Sequence, residues 1–221
     1  MTSLETFQQR LTDELSAYAA QQLATVEASY GAEAGKACQR LFDEVGTDTG
    51  RWCGLLTLVG YKFEGGTHPD MIIQAARAME VMHASARLFD AGDAEAAQMG
   101  TYMAEITLAN LEDAAETDRL KVLSILNRSS LLRLNGKTAH YEFLNPMHVG
   151  MVLAGADCHA TDDITPFMQA LGAGDTTAAR QLAADLAGSW PTQALVALCD
   201  LQEARLANIA VSGQNSANVK E

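Results

Sequence analysis

Proline is almost missing from this chain, and where it does occur it is widely spaced: Pro69, Pro146, Pro166 and Pro191 in 221 residues. A proline inside a helix removes a hydrogen bond and collides with the preceding turn. Its scarcity leaves long stretches free to be helical, and the apolar residues are spaced to use them. Leu4, Phe7, Leu11, Leu15 and Tyr18 recur at intervals of three and four, the period of one helix face. Hydrophobic residues make up 48% of the chain and aromatic residues only 6%. The apolar content is therefore Ala, Leu, Val, Ile and Met, which suits helix-on-helix packing better than a β-sandwich. No run alternates with a period of two, and neither a repeat nor a linker is visible. The expectation is an all-α, single-domain helical bundle over residues 1–211, with a polar, flexible C-terminal tail at 212–221.

The periodicity predicts helices over 3–28 and 34–45, then a more apolar one over 51–63 (Leu55, Leu56, Leu58, Val59, Tyr61) buried on most sides. Gly65-Gly66 ends it, and His68-Pro69-Asp70 opens the next, which runs to about Phe89 and places Ile72, Ala76, Met79, His83, Ala86 and Asp90 along a single face. Further helices are expected over 94–111, 117–134, 137–154, 164–171, 176–186 and 192–209. Asp162-Asp163 reads as an acidic pair at a helix start, with Thr161 or Asp162 as the cap.

Charge narrows the partners. The formal net charge is -13, which repels nucleic-acid phosphate and an anionic membrane surface alike. Residues 1–22 carry Glu5, Arg10, Asp13 and Glu14 with no apolar block, so they read as neither a signal peptide nor a membrane span. Cys38, Cys53, Cys158 and Cys199 lack C-x-x-C spacing and are read as inert thiols of a cytoplasmic protein. Met71, Met79, Met82, Met99 and Met103 are read as core filler.

Two segments carry more than generic helix. One is Gly50-Arg51-Trp52-Cys53-Gly54, then Gly65-Gly66, then the helix containing Glu80-Val81-Met82-His83. The other is Gly136-Lys137-Thr138-Ala139-His140-Tyr141-Glu142-Phe143, continuing through Pro146, Gly150 and Leu153-Ala154-Gly155-Ala156. Their order and spacing resemble the trans-polyprenyl diphosphate synthases over about residues 45–90 and 136–172. That family has a G-K-R-x-R-P segment, an E-x-x-H leading into a first D-D-x-x-D, a K-T-A before a glycine-rich helix, and a second D-D-x-x-D.

The resemblance implies a chemistry. An allylic diphosphate ionises and isopentenyl diphosphate attacks the cation, with Mg²⁺ held by carboxylates neutralising the leaving pyrophosphate. By family match Arg51, His83, Lys137 and Thr138 would contact diphosphate through charge-assisted hydrogen bonds, and Asp90 would be a remnant metal ligand. The departures are sharp. Asp90 stands at the first aspartate of the motif, but Ala91 and Ala94 hold the second and fifth positions. Near Gly172, Ala173-Gly174-Asp175-Thr176-Thr177 offers no aspartate pair, and Gly50 and Cys53 replace basic residues beside Arg51.

The resemblance, read with these losses, implies no catalytic residues and no cofactor, Mg²⁺ being needed only by a chain that kept activity. The expected role is a small or regulatory subunit that forms an oligomer with a full-length prenyl diphosphate synthase, with an isoprenoid diphosphate as the candidate ligand. Two alternatives stay open: a reduced prenyltransferase, and a homodimer that binds an isoprenoid.

Overall fold

The computed structural model describes residues 4–136, 140–157, 162–186 and 192–218, and among them there is no strand. The helices are α1 (Leu4–Tyr30), α2 (Ala32–Thr47), α3 (Trp52–Phe63), α4 (Pro69–Asp90), α5 (Ala94–Ala109) and α6 (Glu116–Leu134). A π-helical turn (His140–Leu144) then leads into α7 (Asn145–Leu153), followed by α8 (Thr165–Gly172), α9 (Thr176–Asp185) and α10 (Thr192–Asn218). The all-α class expected from the apolar spacing is the class observed. No helix among the described residues is long and apolar enough to cross a membrane.

The centre of the bundle is α3, in which every residue from Trp52 to Tyr61 is buried. Its apolar residues point two ways. Cys53, Leu55, Leu58 and Tyr61 join a cluster built with α1, α2, α4, α5 and α6. Trp52, Leu56 and Val59 join a second cluster built with the π-helical turn, α8, α9 and α10. Helix α7 divides itself in the same way, sending Val149 and Val152 to the first cluster and Met147 and Met151 to the second. The two helices together form the partition between the halves of the core.

They can do so because they cross through glycine. A Cβ at Gly60 would lie 2.0 Å from the Met147 carbonyl oxygen, and one at Gly150 would lie 2.0 Å from that of Thr57. The two backbones touch at this crossing, which leaves no space between them. Leu11 of α1 fills the corresponding hollow over Gly54, where a Cβ would come within 2.2 Å of its Cδ2.

Polar links tie the outer helices to this partition. Ser85 Oγ on α4 donates to the Ala97 carbonyl of α5. Asn145 Nδ2 at the start of α7 donates to Ser129 Oγ of α6, both residues being buried. The Tyr61 hydroxyl accepts the His68 backbone N–H at 2.8 Å and so closes the α3–α4 loop.

Three boundaries differ from the periodicity reading. The single helix expected over 137–154 is a π-helical turn followed by α7. Pro146 has no N–H to give to the carbonyl four residues back, that of Glu142. The Cys53 thiol donates to that carbonyl instead, at 3.8 Å. Helix α8 starts at Thr165 with Ile164 at its N-cap and no side-chain cap, so Asp162 and Asp163 lie in the turn before it rather than at its cap. Helix α10 continues to Asn218, past the Ile209 end and into the expected tail. The stretch from Ser212 to Asn218 contains no proline to end it.

Candidate functional site

The α2–α3 loop delivers Arg51 to the centre of the molecule in the left-handed conformation (φ 52°, ψ 43°), a backbone state that costs a non-glycine residue about 1 kcal/mol. The side chain is 6% exposed. Its Nη1 donates to the Val45 carbonyl at 2.7 Å and its Nε to Thr12 Oγ1 at 3.3 Å. Arg51 precedes α3, where the helix dipole disfavours a cation, but its guanidinium reaches the C-terminal turn of α2, where the dipole favours one. Arg87 of α4 closes on the same turn. Its Nη2 donates to the Glu44 carbonyl at 2.9 Å, and its Nε pairs with Glu44 Oε1 at 2.6 Å. Arg51 thus satisfies the Val45 carbonyl at the end of α2, and Arg87 shares the Glu44 carbonyl with the Thr47 hydroxyl, which donates to it at 2.7 Å.

Glu80 and His83, three residues apart, share a face of α4, and Glu80 meets α3. Glu80 is 2% exposed, and its Oε1 accepts the Gly54 backbone N–H at 2.7 Å. Burial raises its carboxyl to about 7, with Asp48 adding to the rise and the Gly54 hydrogen bond and Arg51 opposing it. Burial lowers His83 to about 4, helped by the charge of Arg87 and opposed by that of Asp48. His83 is therefore a neutral imidazole at pH 7, and its Nδ1 is buried with no hydrogen-bond partner. Burial also pushes the Cys38, Cys53 and Cys199 thiols up; raised thiols are poor nucleophiles.

Asp90, which the sequence aligns with the first aspartate of the motif, lies at the C-terminal end of α4. Asp90 is exposed and pairs with Arg133 of α6, which also donates to the Ala86 carbonyl at 2.7 Å. Gly92 turns the chain at φ 86°, and Asp93 caps α5 by accepting the Ala96 N–H at 3.2 Å. Asp93 Oδ2 also receives Arg40 Nε at 2.6 Å, a bond that holds its carboxyl below the usual range. These carboxylates face two arginines rather than each other. Among the described residues no three His, Cys, Asp or Glu side chains come together as a metal site, so the residues present do not fit a Mg²⁺ cluster.

Of the residues singled out in the sequence, Arg51 and His83 are each buried, and Asp90 is at the surface. Lys137 and Thr138 lie outside the described residues. Sequence reasoning quoted Glu80 within the motif but gave no role to it, nor to Arg87, Arg133 or Arg205. The E-x-x-H spacing was a usable signal for Glu80, since residues three apart share a helix face. Arg205, on the last helix, had no such signal. Its guanidinium lies 5.8 Å from the ring centroids of both Trp52 and Phe143.

No family model and no curated protein matches the sequence. Solved structures do match. A chain from Corynebacterium glutamicum described as a geranylgeranyl pyrophosphate synthase superposes with a TM-score of 0.62 at 20% identity, over 84% of this chain and 65% of that one. A chain from Marinomonas sp. MED121 described as a farnesyl-diphosphate synthase superposes with a TM-score of 0.58 at 15% identity, over 96% of this chain and 92% of that one. The fold is therefore the all-α fold of the trans-prenyl diphosphate synthases. The present chain spans 65% of the length of the Corynebacterium chain.

Proposed function

We propose that this is a non-catalytic protein of the prenyl diphosphate synthase fold that works as a subunit beside a full-length synthase. The observation that carries the reading is the state of the carboxylates where the first aspartate motif should be. Asp90 pairs with Arg133 and Asp93 with Arg40, while Ala91 and Ala94 supply no ligand. Ionising a diphosphate needs positive charge gathered on its oxygens by carboxylate-held metal. The described side chains offer no such cluster.

Pairing is supported by the outer surfaces of α5 and α6. Tyr102 and Ile106 are exposed on α5, and Leu120, Leu131 and Leu134 on α6. Helix α6 is apolar on its packed side too, through Val122 and Leu126. Exposed leucines on the solvent side of a helix already packed through Val122 and Leu126 are a surface that a partner can cover.

Mixing the purified chain with the full-length synthase of the same cell at micromolar concentration tests the assignment. A stable heteromer in sedimentation is expected, at least ten-fold weakened by Leu131→Asp combined with Leu134→Asp. Failure of the two chains to associate, or a homodimer that excludes the synthase, would refute it.

A further inference from the structure

Two helices of the bundle end on an asparagine held in the same way. Asn110 follows α5, and its Nδ2 donates to the Ile106 carbonyl four residues back at 2.8 Å. Asn135 follows α6, and its Nδ2 donates to the Leu131 carbonyl four residues back at 3.0 Å. Each amide folds back over the last turn of its helix, but the chain leaves the two turns in opposite senses. After Asn110 it goes inward to Leu111, which is 1% exposed and part of the larger core cluster. After Asn135 it goes outward to Gly136, which is exposed and adopts φ 78°. A Cβ at Gly136 would meet nothing within 4 Å. Asn-Gly occurs once in the chain.

That dipeptide carries a chemistry. The backbone nitrogen of the residue after an asparagine can attack the side-chain carbonyl carbon and close a five-membered imide ring. A Cβ on the attacking residue shields its nitrogen, and glycine has none. Asparagine is accordingly among the thermolabile residues. At Asn135 the attack requires two hydrogen bonds to open: Gly136 N–H to the Arg133 carbonyl, at 2.9 Å, and Asn135 Nδ2 to the Leu131 carbonyl. Both lie at an exposed helix end, where water replaces them at small net cost. The same opening at Asn110 would pull Leu111 out of the core.

We infer that Asn135 is a site of spontaneous covalent modification, its side-chain amide being lost as ammonia through a cyclic imide with Gly136. Hydroxide takes the Gly136 N–H proton, the nitrogen bonds to Asn135 Cγ, and the Cγ–Nδ2 bond breaks. Nδ2 leaves as ammonia with a proton from water. One water then opens the imide. Opening at Cγ leaves aspartate. Opening at the main-chain carbonyl leaves isoaspartate, in which the backbone runs through the side chain and is one carbon longer. Nothing is oxidised or reduced, and no cofactor takes part.

Either product changes the end of α6. A donor to the Leu131 carbonyl becomes a carboxylate, at the negative end of the helix dipole. The turn it disturbs carries Arg133, which holds the Ala86 carbonyl and Asp90 of α4, and the exposed Leu131 and Leu134. The modification thus acts on the link between α6 and α4. It does not depend on pairing with a synthase, so either reading can fail alone.

Incubating the full chain in mildly alkaline buffer, with peptide mapping by mass spectrometry and an ammonia assay, tests the site. Asn135 is expected to convert at least ten-fold faster than Asn110, to a mixture of aspartate and isoaspartate. Gly136→Ala is expected to slow the conversion at least ten-fold. Asn135→Gln leaves Gly136 in place and is expected to lack the early release of ammonia, so it reports the site even if Gly136→Ala disturbs the turn. Conversion of Asn135 no faster than that of Asn110, aspartate formed without isoaspartate, or undiminished early ammonia release from the Asn135→Gln chain would each overturn the inference.

Discussion

Replacing Gly150 by alanine should unfold the protein or cost it more than about 4 kcal/mol, the range reached only when something buried has no room to move. The added methyl would lie 2.0 Å from the Thr57 carbonyl oxygen and 2.7 Å from the Tyr61 backbone nitrogen. These are backbone atoms of α3, so no side-chain rotation relieves the contact; the helices must part. Parting them opens both halves of the core, because α3 and α7 separate the two. Domains of this size have about 5–15 kcal/mol of stability in all. Gly60→Ala should behave alike, since its methyl would meet the Met147 carbonyl at 2.0 Å. The control is Gly46→Ala in α2, where a Cβ meets nothing within 4 Å; removing a helical glycine there should stabilise by about 0.5–1 kcal/mol. Urea unfolding of the three variants checks the set. A Gly150→Ala chain as stable as the Gly46→Ala chain would disprove the close crossing.

The second large effect is hidden in the wild type. Burial raises Glu80 from 4.5 to about 7 in the folded state. Between those values the folded chain holds a proton that the unfolded chain has lost, so stability from Glu80 falls as pH rises. Burial lowers His83 from 6.5 to about 4. Between those values the unfolded chain binds a proton that the folded chain does not, so stability falls as pH drops. Each slope is about 1.4 kcal/mol per pH unit. In the shared window between pH 4.5 and 6.5 they have opposite signs and cancel.

Separating the pair exposes each slope. Relative to the wild type, Glu80→Gln should gain stability with rising pH across that window, and His83→Gln should lose it. The amide oxygen of the Glu80→Gln side chain can still accept the Gly54 N–H, so the contact is conserved while the titration is removed. Unfolding midpoints measured at half-unit pH steps decide the matter. Variants that both follow the wild-type profile would contradict the buried, compensating arrangement.

These two predictions also mark how far the sequence could be read. The character of α3 was legible because almost all of its residues are apolar, and α4 because His68-Pro69-Asp70 announces its start. The two-way division of α3 was not legible, because Leu55 and Leu56 look equivalent until their neighbours are known. Gly60 and Gly150 were visible as glycines, but the reason for them is a contact between segments about ninety residues apart, which no local pattern records. The π-helical turn was hidden for a similar reason. Its stability draws on the Cys53 thiol from α3, which takes the carbonyl that Pro146 leaves open.

The candidate site was legible by residue type and less so by role. The motif match selected Arg51 and His83, and both do lie inside. The dipole of α3 disfavours a cation at its start, but the Arg51 side chain is long enough to serve the helix before it. Asp90 was found by its position in the motif, while its partner Arg133 is on a helix that carries no motif. Arg205 owes its setting to packing alone, since it meets Trp52 and Phe143 only once α10 has docked.

The proposal stands or falls on whether this chain can ionise an allylic diphosphate. The direct measurement is product formation from isopentenyl diphosphate and allylic primers of several lengths with Mg²⁺, for the chain alone and mixed with the full-length synthase. The account predicts no product from the chain alone, and a changed rate or product length when the two are mixed. Mg²⁺-dependent elongation by the chain alone, abolished by Asp90→Ala, would contradict it.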